Sequence, residues 1–394
     1  MEMNTLSLIN YVKYSKTIYT LYYYAGSWLI RLLKLFVKTD DKLIVFASFG
    51  GRRYDDSPKA IYEAMLLDHR FDSYKLVWAF MQPDNFEIPR GEKVRIDTFE
   101  YYKKLLSARV WVTNSSMNRG LDFTGKHTFE LNTWHGSAIK RMGADINSGN
   151  TSFHIKGGKR NESVMLAQSE YDVNVFTQAY RMKKEEFRIV GLPRNDELAH
   201  VTIENQDAMK RKLSIPSDKK AIMYAPTFRE YDKDSGNNVI LTPPIDLQLW
   251  EEQLGKDYVL LFRAHYEVAK VMGIEDNDFV KNVSSYPNLN DLMIASDMLI
   301  SDYSSIFFDY SIQGKPMVCY CYDYEKYAEK RGMYFDIREW LPSASDETEL
   351  MKLIKATDVN EKSEAAKKFQ ERYVTEFGSA SQKSLDILYS YMYS

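Results

Sequence analysis

Residues 43–80 read LIVFASFGGRRYDDSPKAIYEAMLLDHRFDSYKLVWAF, and this stretch decides the fold. It opens with an uncharged run at Leu43–Ser48 and closes with a second apolar run at Lys75–Phe80. Between them lie a glycine-containing loop and a helical pattern at Pro58–Leu67. Continuous apolar strands are typical of parallel sheets that helices cover on both faces. The stretch therefore predicts a strand, a loop, a helix and a parallel second strand.

The same alternation continues along the chain and falls into two groups, separated by a charged stretch near Arg211–Lys220. We predict an α/β protein with two tandem Rossmann-like, doubly wound domains at residues 41–208 and 209–394, after an N-terminal segment at 1–40. In such sheets ligands bind beyond the carboxyl ends of the strands. Further expected strands are Arg109–Thr113, Thr128–Thr133, Val164–Gln168 and Phe187–Val190 in the first group, and Ala221–Ala225, Tyr258–Arg263, Met298–Ser301 and Pro316–Tyr320 in the second.

Composition excludes several classes of protein. The 394 residues include 52 Lys plus Arg against 55 Asp plus Glu, so no strong overall field attracts nucleic acid. Cys319 and Cys321 are too close for a stapling disulfide and too few for a structural zinc site. The acidic pairs Asp232/Asp234 and Asp276/Asp278 are interpreted as solvated loops. Neither the dinucleotide fingerprint nor the P-loop is present, and we expect no metal and no cofactor.

The N-terminal segment is basic and rich in aromatic residues. From Thr5 to Lys38 it contains five basic residues and no acidic residue, and Arg31 and Lys34 interrupt its best apolar run, so neither a membrane span nor a signal peptide is expected. We predict an amphipathic helix lying in the interface of an anionic membrane; the alternative is a helix packed on its own domain. The apolar stripe comprises Ile18, Leu21, Tyr22, Ala25, Trp28, Leu29, Leu32, Leu35 and Phe36, and the other stripe Lys16, Thr20, Tyr24, Ser27, Arg31, Lys34 and Lys38.

One polar cluster follows the strand predicted at Thr128–Thr133. His135 comes directly after Trp134, and Gly136 would let a ligand approach the backbone. Imidazole titrates near neutrality, so His135 is a candidate base for an attacking hydroxyl. The alternative is a histidine that only satisfies hydrogen bonds at a turn. Ser137–Arg141 are expected to open a helix.

Three more clusters follow strands of the second group. Arg229 follows one strand, and Arg263 and His265 follow the next, where they are candidate donors to phosphate oxygens. Alternatively, Arg229 pairs with Glu230, and Arg263 pairs across the face of its domain. Ser301–Ser305 (SDYSS) precedes a helical pattern, so its hydroxyl and backbone N–H groups predict an anion site. The alternative is that a serine only caps the helix, but capping accounts for only one of the serines.

Taken together, these clusters resemble the CDP-glycerol glycerophosphotransferase family of wall teichoic acid synthesis, the teichoic acid primases and polymerases. The resemblance implies a GT-B-like pair of Rossmann domains in a peripheral protein at the cytoplasmic face of the cell membrane. It also implies transfer of a polyol phosphate from CDP-glycerol or CDP-ribitol to a lipid-linked saccharide or poly(polyol phosphate) acceptor, with release of CMP. The matching pieces are Tyr54–Tyr62 (YDDSPKAIY), Thr133–Lys140 (TWHGSAIK), Ala225–Arg229 (APTFR), Arg263-Ala264-His265, Ser301–Tyr310 (SDYSSIFFDY) and Lys315-Pro316.

The same resemblance assigns roles to residues. It implies that His135 is the base on the acceptor hydroxyl, in an acceptor domain at 41–208, and that His265 contacts the donor pyrophosphate in a donor domain at 209–394. Ser137 stands where the family commonly has Thr, and the larger polymerases carry a further segment, so priming and extension both stay open. The expected substrate-binding residues are Gly136, Ser137, Thr227, Arg229, Arg263, Ser301, Asp302, Ser304 and Ser305.

Two other classes remain. A GT-B glycosyltransferase would use a nucleotide sugar and would need a carboxylate near that sugar, for which Glu230 or Asp302 is a candidate. A catalytically silent protein that binds anionic polymers at the membrane is the third interpretation. The sequence does not distinguish glycerol from ribitol as the polyol.

Overall fold

A computed structural model describes residues 16–146, 161–229 and 242–393. These residues form two α/β domains, each built on a parallel sheet. Each sheet has the strand order of a doubly wound fold, as the alternating pattern predicted. The α/β class and the two Rossmann-like domains are therefore confirmed.

The first domain holds a seven-stranded sheet in the order β3-β2-β1-β4-β5-β6-β7. All paired strands are parallel, so their carboxyl ends meet at one edge. The order reverses between β1 and β4, which is where ligands bind in such sheets. The strands are β1 (Asp40–Ala47), β2 (Lys75–Phe80), β3 (Glu92–Arg95), β4 (Ala108–Thr113), β5 (Phe129–Asn132), β6 (Glu162–Ala167) and β7 (Phe187–Ile189).

The second domain holds a six-stranded parallel sheet in the order β10-β9-β8-β11-β12-β13. Its order reverses between β8 and β11. The strands are β8 (Lys220–Ala225), β9 (Tyr258–Phe262), β10 (Val280–Asn282), β11 (Met298–Ser301), β12 (Met317–Tyr320) and β13 (Ser343–Ala344).

Helices cover both sheets. The helix expected at Pro58–Leu67 spans Asp56–Leu66 in the structure, within two residues of its predicted ends. In the described residues the helices are α1 (Lys16–Phe36), α2 (Asp56–Leu66), α3 (Phe99–Ser107), α4 (Glu170–Tyr180), α5 (Ile203–Lys212), α6 (Leu247–Leu254), α7 (Tyr266–Val271), α8 (Leu289–Ala295), α9 (Ile306–Ser311), α10 (Tyr324–Arg331), α11 (Glu347–Ala356), α12 (Glu364–Tyr373) and α13 (Ala380–Tyr393).

Three strands have no counterpart among the sequence predictions: β3, β10 and β13. Each lies at or near a sheet edge and has four residues or fewer. In β3 only Val94 is buried, so the segment lacks the apolar run by which the central strands were found. Edge strands are half solvated, and their sequence pattern is correspondingly weak.

The second domain does not run contiguously to the end of the chain as predicted. Helix α13 returns to the first domain, where Leu385 and Leu388 enter the core around Phe46 and Trp78. Tyr391 stacks on Phe129 of β5, with ring centroids 4.1 Å apart. The first domain therefore consists of an N-terminal part and the last helix. The predicted second domain at residues 209–394 included α13, which packs on the first domain.

The expectation of a helix at Ser137–Arg141 was wrong. This segment is extended and crosses to the second domain, where Lys140 forms an antiparallel bridge with Met333. Ile139 is buried in the core of the second domain. Burial of this side chain there holds the segment extended, so it links the two domains directly behind His135.

Helix α1 docks on the first domain by one face. Tyr23, Ser27 and Ile30 are buried, Asp122 N donates a hydrogen bond to Ser27 Oγ (2.8 Å), and Arg31 forms an ion pair with Asp122. The face with Ser27, Arg31 and Lys34 therefore contacts protein, although the sequence assigned it to the basic stripe. The predicted apolar stripe is largely exposed, with Leu21, Trp28, Leu29, Leu32, Leu35 and Phe36 on the surface.

Candidate active site

His135 lies in the turn that follows β5, at the carboxyl edge of the first sheet. Trp134 N donates to Asn132 Oδ1 (2.9 Å), and Trp134 has a φ of 51°. The Nδ1 atom of His135 is 2.8 Å from the carbonyl oxygen of Asn114, which follows β4. A carbonyl oxygen only accepts, so Nδ1 carries the proton and Nε2 keeps a lone pair. The geometry therefore prepares Nε2 to accept a proton.

The surroundings of the imidazole are aromatic and partly desolvated. The His135 ring centroid lies 4.1 Å from that of Trp134 and 5.7 Å from that of Phe49. Burial lowers the pKa of His135 below its ordinary value, and the hydrogen bond to Asn114 opposes this only in part. The ring is consequently neutral at neutral pH, which is the form that a base requires.

Gly136 is the point where the first domain touches the Ser304–Ser305 segment of the second. Its φ is 139°, and an added Cβ would lie 3.1 Å from Ser305 Oγ and 3.4 Å from Arg194 Nη2. A larger residue would be strained and would push the two domains apart. The glycine thus brings His135 close to the hydroxyl groups that follow β11.

Arg194 links the two domains beneath this contact. Its Nη1 donates to Asp56 Oδ2 (2.7 Å) and to the carbonyl oxygen of His135 (2.9 Å), while Nη2 donates to Asp309 Oδ2 (2.7 Å). Asn195 Nδ2 adds a hydrogen bond to Asp309 Oδ1 (2.7 Å). Asp309 lies on α9, so one guanidinium group holds the histidine turn and the serine-bearing segment in register.

Sequence reasoning missed Arg194. The available signal was the polar group Arg194-Asn195-Asp196, which follows β7 at the same edge of the sheet as His135. Its partners Asp56 and Asp309 are more than one hundred residues away on either side, so spacing alone did not reveal the bridge.

Ser137 lies behind the site and does not line the cleft. Its side chain is buried, and its hydroxyl accepts a hydrogen bond from Gln168 Nε2 (2.9 Å). The neighbouring Asp172 is fully buried, which raises its pKa to about 6. Ser137 thus supports the turn from inside the domain, and its expected contact with substrate is not seen in this geometry.

Arg229 is also turned away from the cleft. Its Nε and Nη2 donate to both carboxylate oxygens of Asp323 (2.8 and 3.0 Å), and Nη1 donates to Asp302 Oδ2 (2.9 Å) and to Thr227 O (2.7 Å). The side chain is 1% exposed. These bonds use four of its five N–H donors. Contrary to the expectation of a phosphate contact, Arg229 braces the strand ends through Asp302 and Asp323. The alternative pairing with Glu230 lies outside the described residues.

Asp302, Ser301 and Thr227 belong to the same brace. Asp302 accepts hydrogen bonds from Thr227 N (3.0 Å) and Tyr303 N (2.6 Å), and Ser301 Oγ donates to Ala225 O (2.6 Å). Ser301 and Asp302 are buried. The carboxylate of Asp302 is therefore committed inside the domain, which argues against its role as a sugar ligand. Thr227 Oγ1 is buried and without a partner among the described residues.

Ser304, Ser305 and His265 remain on the cleft side. The two serines are half-buried, and Ser305 Oγ has no hydrogen-bond partner in the part of the chain that the structure describes. His265 follows β9, is exposed, and its ring lies 4.7 Å from that of Phe228. Arg263 Nη1 donates to the carbonyl oxygens of Val283 (3.1 Å) and Tyr286 (2.8 Å). Of these groups, the Ser305 hydroxyl lies beside the histidine turn, where it approaches Gly136.

No group of three or more His, Cys, Asp or Glu side chains is placed to hold a metal ion within residues 16–146, 161–229 and 242–393. Asp232 and Asp234 lie outside these ranges. Cys319 and Cys321 are buried free cysteines on β12 and the residue after it.

Comparisons with known proteins agree with this architecture. The chain is 36% identical over 314 residues to a teichoic acid poly(glycerol phosphate) polymerase of Staphylococcus epidermidis. The matched region is 76% of this chain but only 43% of that polymerase. It is 32% identical to a teichoic acid glycerol-phosphate transferase of Staphylococcus aureus, across 89% of the chain and 94% of that protein.

A solved structure is similar along most of its length. It is a variant of the wall teichoic acid polymerase TagF after a 30 minute soak with CDPG, with a TM-score of 0.77, 31% identity and coverage of 92% of each chain. The family model of CDP-glycerol:poly(glycerophosphate) glycerophosphotransferases matches residues 29–389. The chain therefore belongs to the CDP-glycerol:poly(glycerophosphate) glycerophosphotransferase family.

Proposed function

We propose that this protein transfers a polyol phosphate, glycerol 3-phosphate in the first instance, from a CDP-polyol to a teichoic-acid-type acceptor and releases CMP. Family membership and the relatives that act in teichoic acid synthesis support this reaction class. The observation that supports the assignment of the site is the position of His135, whose Nδ1 is bound to Asn114 O and whose neighbour Gly136 approaches Ser305 of the second domain.

The chemistry needs a base on one side of a phosphorus atom and donors on the other. Nε2 of His135 takes the proton of the acceptor hydroxyl, whose oxygen attacks the phosphorus that carries the polyol. The bond from this phosphorus to the bridging oxygen breaks, and that oxygen leaves with CMP. Phosphoryl transfer depends mainly on positioning and charge stabilisation, so a base facing hydroxyl and imidazole donors is sufficient.

In this proposal the two domains divide the substrates. The acceptor hydroxyl lies on the first domain beside His135, and the donor pyrophosphate lies on the second domain. Ser304 and Ser305 donate to the phosphate oxygens, and His265 contacts the pyrophosphate. Thr227 Oγ1, which is buried and lacks a described partner, is a further candidate donor to the pyrophosphate. Arg194 keeps the two halves at the distance that the transfer requires.

We also propose that helix α1 lies in the membrane interface at the cytoplasmic face, where a lipid-linked acceptor would be presented. Its face with Leu21, Trp28 and Leu35 is exposed, at 69%, 65% and 74% of the respective side-chain surfaces. Exposed apolar side chains at helical spacing, with aromatic residues beside them, are typical of interfacial helices. No helix in the described residues is long and apolar enough to cross a bilayer.

The test is release of nucleotide by the purified protein with a lipid-linked acceptor and either CDP-glycerol or CDP-ribitol. We expect CMP release from one donor, and loss of this release in His135→Ala. UDP release from a nucleotide sugar, with no CMP from either CDP-polyol, would instead support the glycosyltransferase interpretation. Absence of release from all donors would support a protein that only binds polymers.

A further inference from the structure

The loop between β1 and α2, residues Phe49–Asp55, is fixed against the histidine turn by a shared anchor. Phe49 N donates to Asn114 Oδ1 (2.7 Å), and Gly50 N donates to Ser115 Oγ (3.1 Å). The backbone carbonyl of the same Asn114 accepts the hydrogen bond from His135 Nδ1. The loop and the proposed base are therefore positioned by one residue at the end of β4.

The backbone of this loop has an uncommon shape. Phe49, Gly50 and Gly51 have φ values of 48°, 62° and 79°. An added Cβ at Gly51 would lie 2.1 Å from Ile96 Cδ1 and 2.9 Å from the carbonyl oxygen of Ala79. Gly50 and Gly51 adopt the left-handed region without strain, whereas the conformation of Phe49 is strained, and strained non-glycine residues are concentrated at functional sites. The shape carries Arg52 and Arg53 out of the loop into solvent.

These two guanidinium groups are weakly neutralised. Arg52 is exposed and has no hydrogen-bond or ion-pair partner among the residues that the structure describes. Arg53 is 60% exposed; its Nη1 lies 3.4 Å from Asp55 Oδ2, at the limit of a hydrogen bond. The nearby arginines differ, since Arg119 is held by both oxygens of Asp97.

Arg263 of the second domain is another cation with donors to spare. Its Nε and Nη2 atoms have no partner in the described part of the chain. Burial lowers the pKa of Arg263, the charge of Arg53 lowers it further, and the charge of Asp55 raises it. Phosphate oxygens match the geometry of such guanidinium groups.

The distance from Arg53 to His135 is short enough for one polyol phosphate unit to reach both residues. The guanidinium carbon of Arg53 and the His135 ring both lie 5.7 Å from the Phe49 ring centroid, so they are at most about 11 Å apart. In an extended glycerol phosphate unit the phosphorus lies about 6 Å from the terminal hydroxyl oxygen. With hydrogen bonds of about 2.8 Å at either end, one unit spans this gap.

We propose that Arg53, with Arg52 beside it, binds the phosphodiester that precedes the attacking hydroxyl of the acceptor. This inference rests on the proposed function. It specifies the acceptor as a chain that already ends in a polyol phosphate, so the protein extends such a chain more efficiently than it starts one on a bare saccharide. Arg53 lies on the acceptor side, on the same loop as Phe49, and not among the groups assigned to the donor.

The test compares two lipid-linked acceptors, one ending in a glycerol phosphate unit and one ending in the saccharide alone, with CDP-glycerol as donor. For Arg53→Gln we expect the KM of the phosphate-bearing acceptor to rise about tenfold, with the KM of CDP-glycerol and the rate on the bare acceptor unchanged. Arg53→Lys keeps the charge and should recover part of the affinity. Arg211→Gln, on an exposed arginine of α5, is the matched control and should change nothing.

A binding measurement separates this inference from the proposed function. A short glycerol phosphate oligomer is titrated into wild type and Arg53→Gln without donor, so no turnover is needed. About tenfold weaker binding to the variant supports the subsite even if CMP release fails. Equal binding by both proteins overturns it, as does a rise in the KM of CDP-glycerol, which would assign Arg53 to the donor.

Discussion

The polar clusters at the carboxyl ends of the two sheets differ in how their groups are used. In the first domain, the His135 ring is hydrogen-bonded to Asn114 O and packs beside the Trp134 ring. Arg53 is exposed and makes a long contact with Asp55. In the second domain, Arg229 and Asp302 are buried and bonded to each other. Both clusters have residue types suited to phosphate. Of these four side chains, only His135 and Arg53 lie outside a buried ion pair.

A position at a strand end therefore does not by itself make a residue a ligand contact. Arg229 is turned away from the cleft because both carboxylate oxygens of Asp323, nearly one hundred residues later, accept its hydrogen bonds. Its guanidinium also lies among the rings of Tyr303, Tyr322 and Tyr327, within 5.2 Å of each centroid. Long-range partners thus decide whether a strand-end cation is structural or binds substrate.

The largest expected effect concerns this buried brace. Arg229→Met would leave the carboxylates of Asp302 and Asp323 buried without their cation, which costs about 3–5 kcal/mol of stability. The measurement is the free energy of unfolding in urea at pH 7. Arg53→Gln changes an exposed side chain and should leave this free energy unchanged. Equal small losses in both variants would remove the distinction between the two clusters.

The pH dependence of activity tests the cleft side of the comparison. Burial lowers the pKa of His135 below 6.5, so the base stays neutral at neutral pH and is lost only as the pH falls through this lowered pKa. We expect kcat/KM to be flat around pH 7 and to decline about tenfold per pH unit on the acid side. The residual activity of His135→Ala should lack this decline; its persistence would assign the titration to another group.

Serine substitutions sharpen the comparison within the second domain. Ser305→Ala removes a hydroxyl from the cleft, so we expect the KM of the CDP-polyol donor to rise about tenfold with stability unchanged. Ser301→Ala leaves the carbonyl oxygen of Ala225 without its donor, which costs about 1–3 kcal/mol of stability. Thermal unfolding and donor titration of both variants are the measurements. Interchanged results would mean that the two serines have been assigned to the wrong sides.

The smallest effect concerns the two faces of α1. Substituting serine for Trp28 and Leu35 together removes apolar area from the exposed face and should weaken binding to anionic phosphatidylglycerol vesicles several-fold. Leu67→Ser is the matched control, because Leu67 is 86% exposed and lies outside α1. Co-sedimentation with vesicles is the measurement. Equal sedimentation of wild type and the double variant would indicate that α1 has only a structural role.

Much of the fold was predictable because the central strands are buried on both faces. Their apolar runs, such as Lys75–Phe80, have no alternative interpretation once helical patterns alternate with them. The segment after Gly136 was mispredicted, because Ala138 and Ile139 suit a helix locally but are buried at the junction with the second domain. The return of α13 to the first domain is likewise a property of tertiary packing.

The position of the candidate site was predictable in part. The place of His135 shortly after a strand, flanked by an aromatic residue and a glycine, is as the sequence predicted, and its role as a base stays a prediction. Arg194 was missed because its function depends on Asp56 and Asp309, which only the folded chain brings together. Ser137 and Arg229 carried the right chemistry and lie near the right edge, but their partners turn them inward. Residue type and topology indicate where a site lies. Which side chains there stay free to contact substrate depends on long-range contacts, which the spacing of residues in the sequence does not reveal.

The proposed mechanism requires a base on the first domain and a donor site on the second. Titration of CDP-glycerol into wild type and His135→Ala, alongside CMP release by the same two proteins, tests this arrangement directly. We expect a dissociation constant unchanged within about twofold and turnover reduced about 100- to 10,000-fold in the variant. Loss of CDP-glycerol binding in the variant, in parallel with turnover, would contradict this arrangement by placing His135 in the donor site.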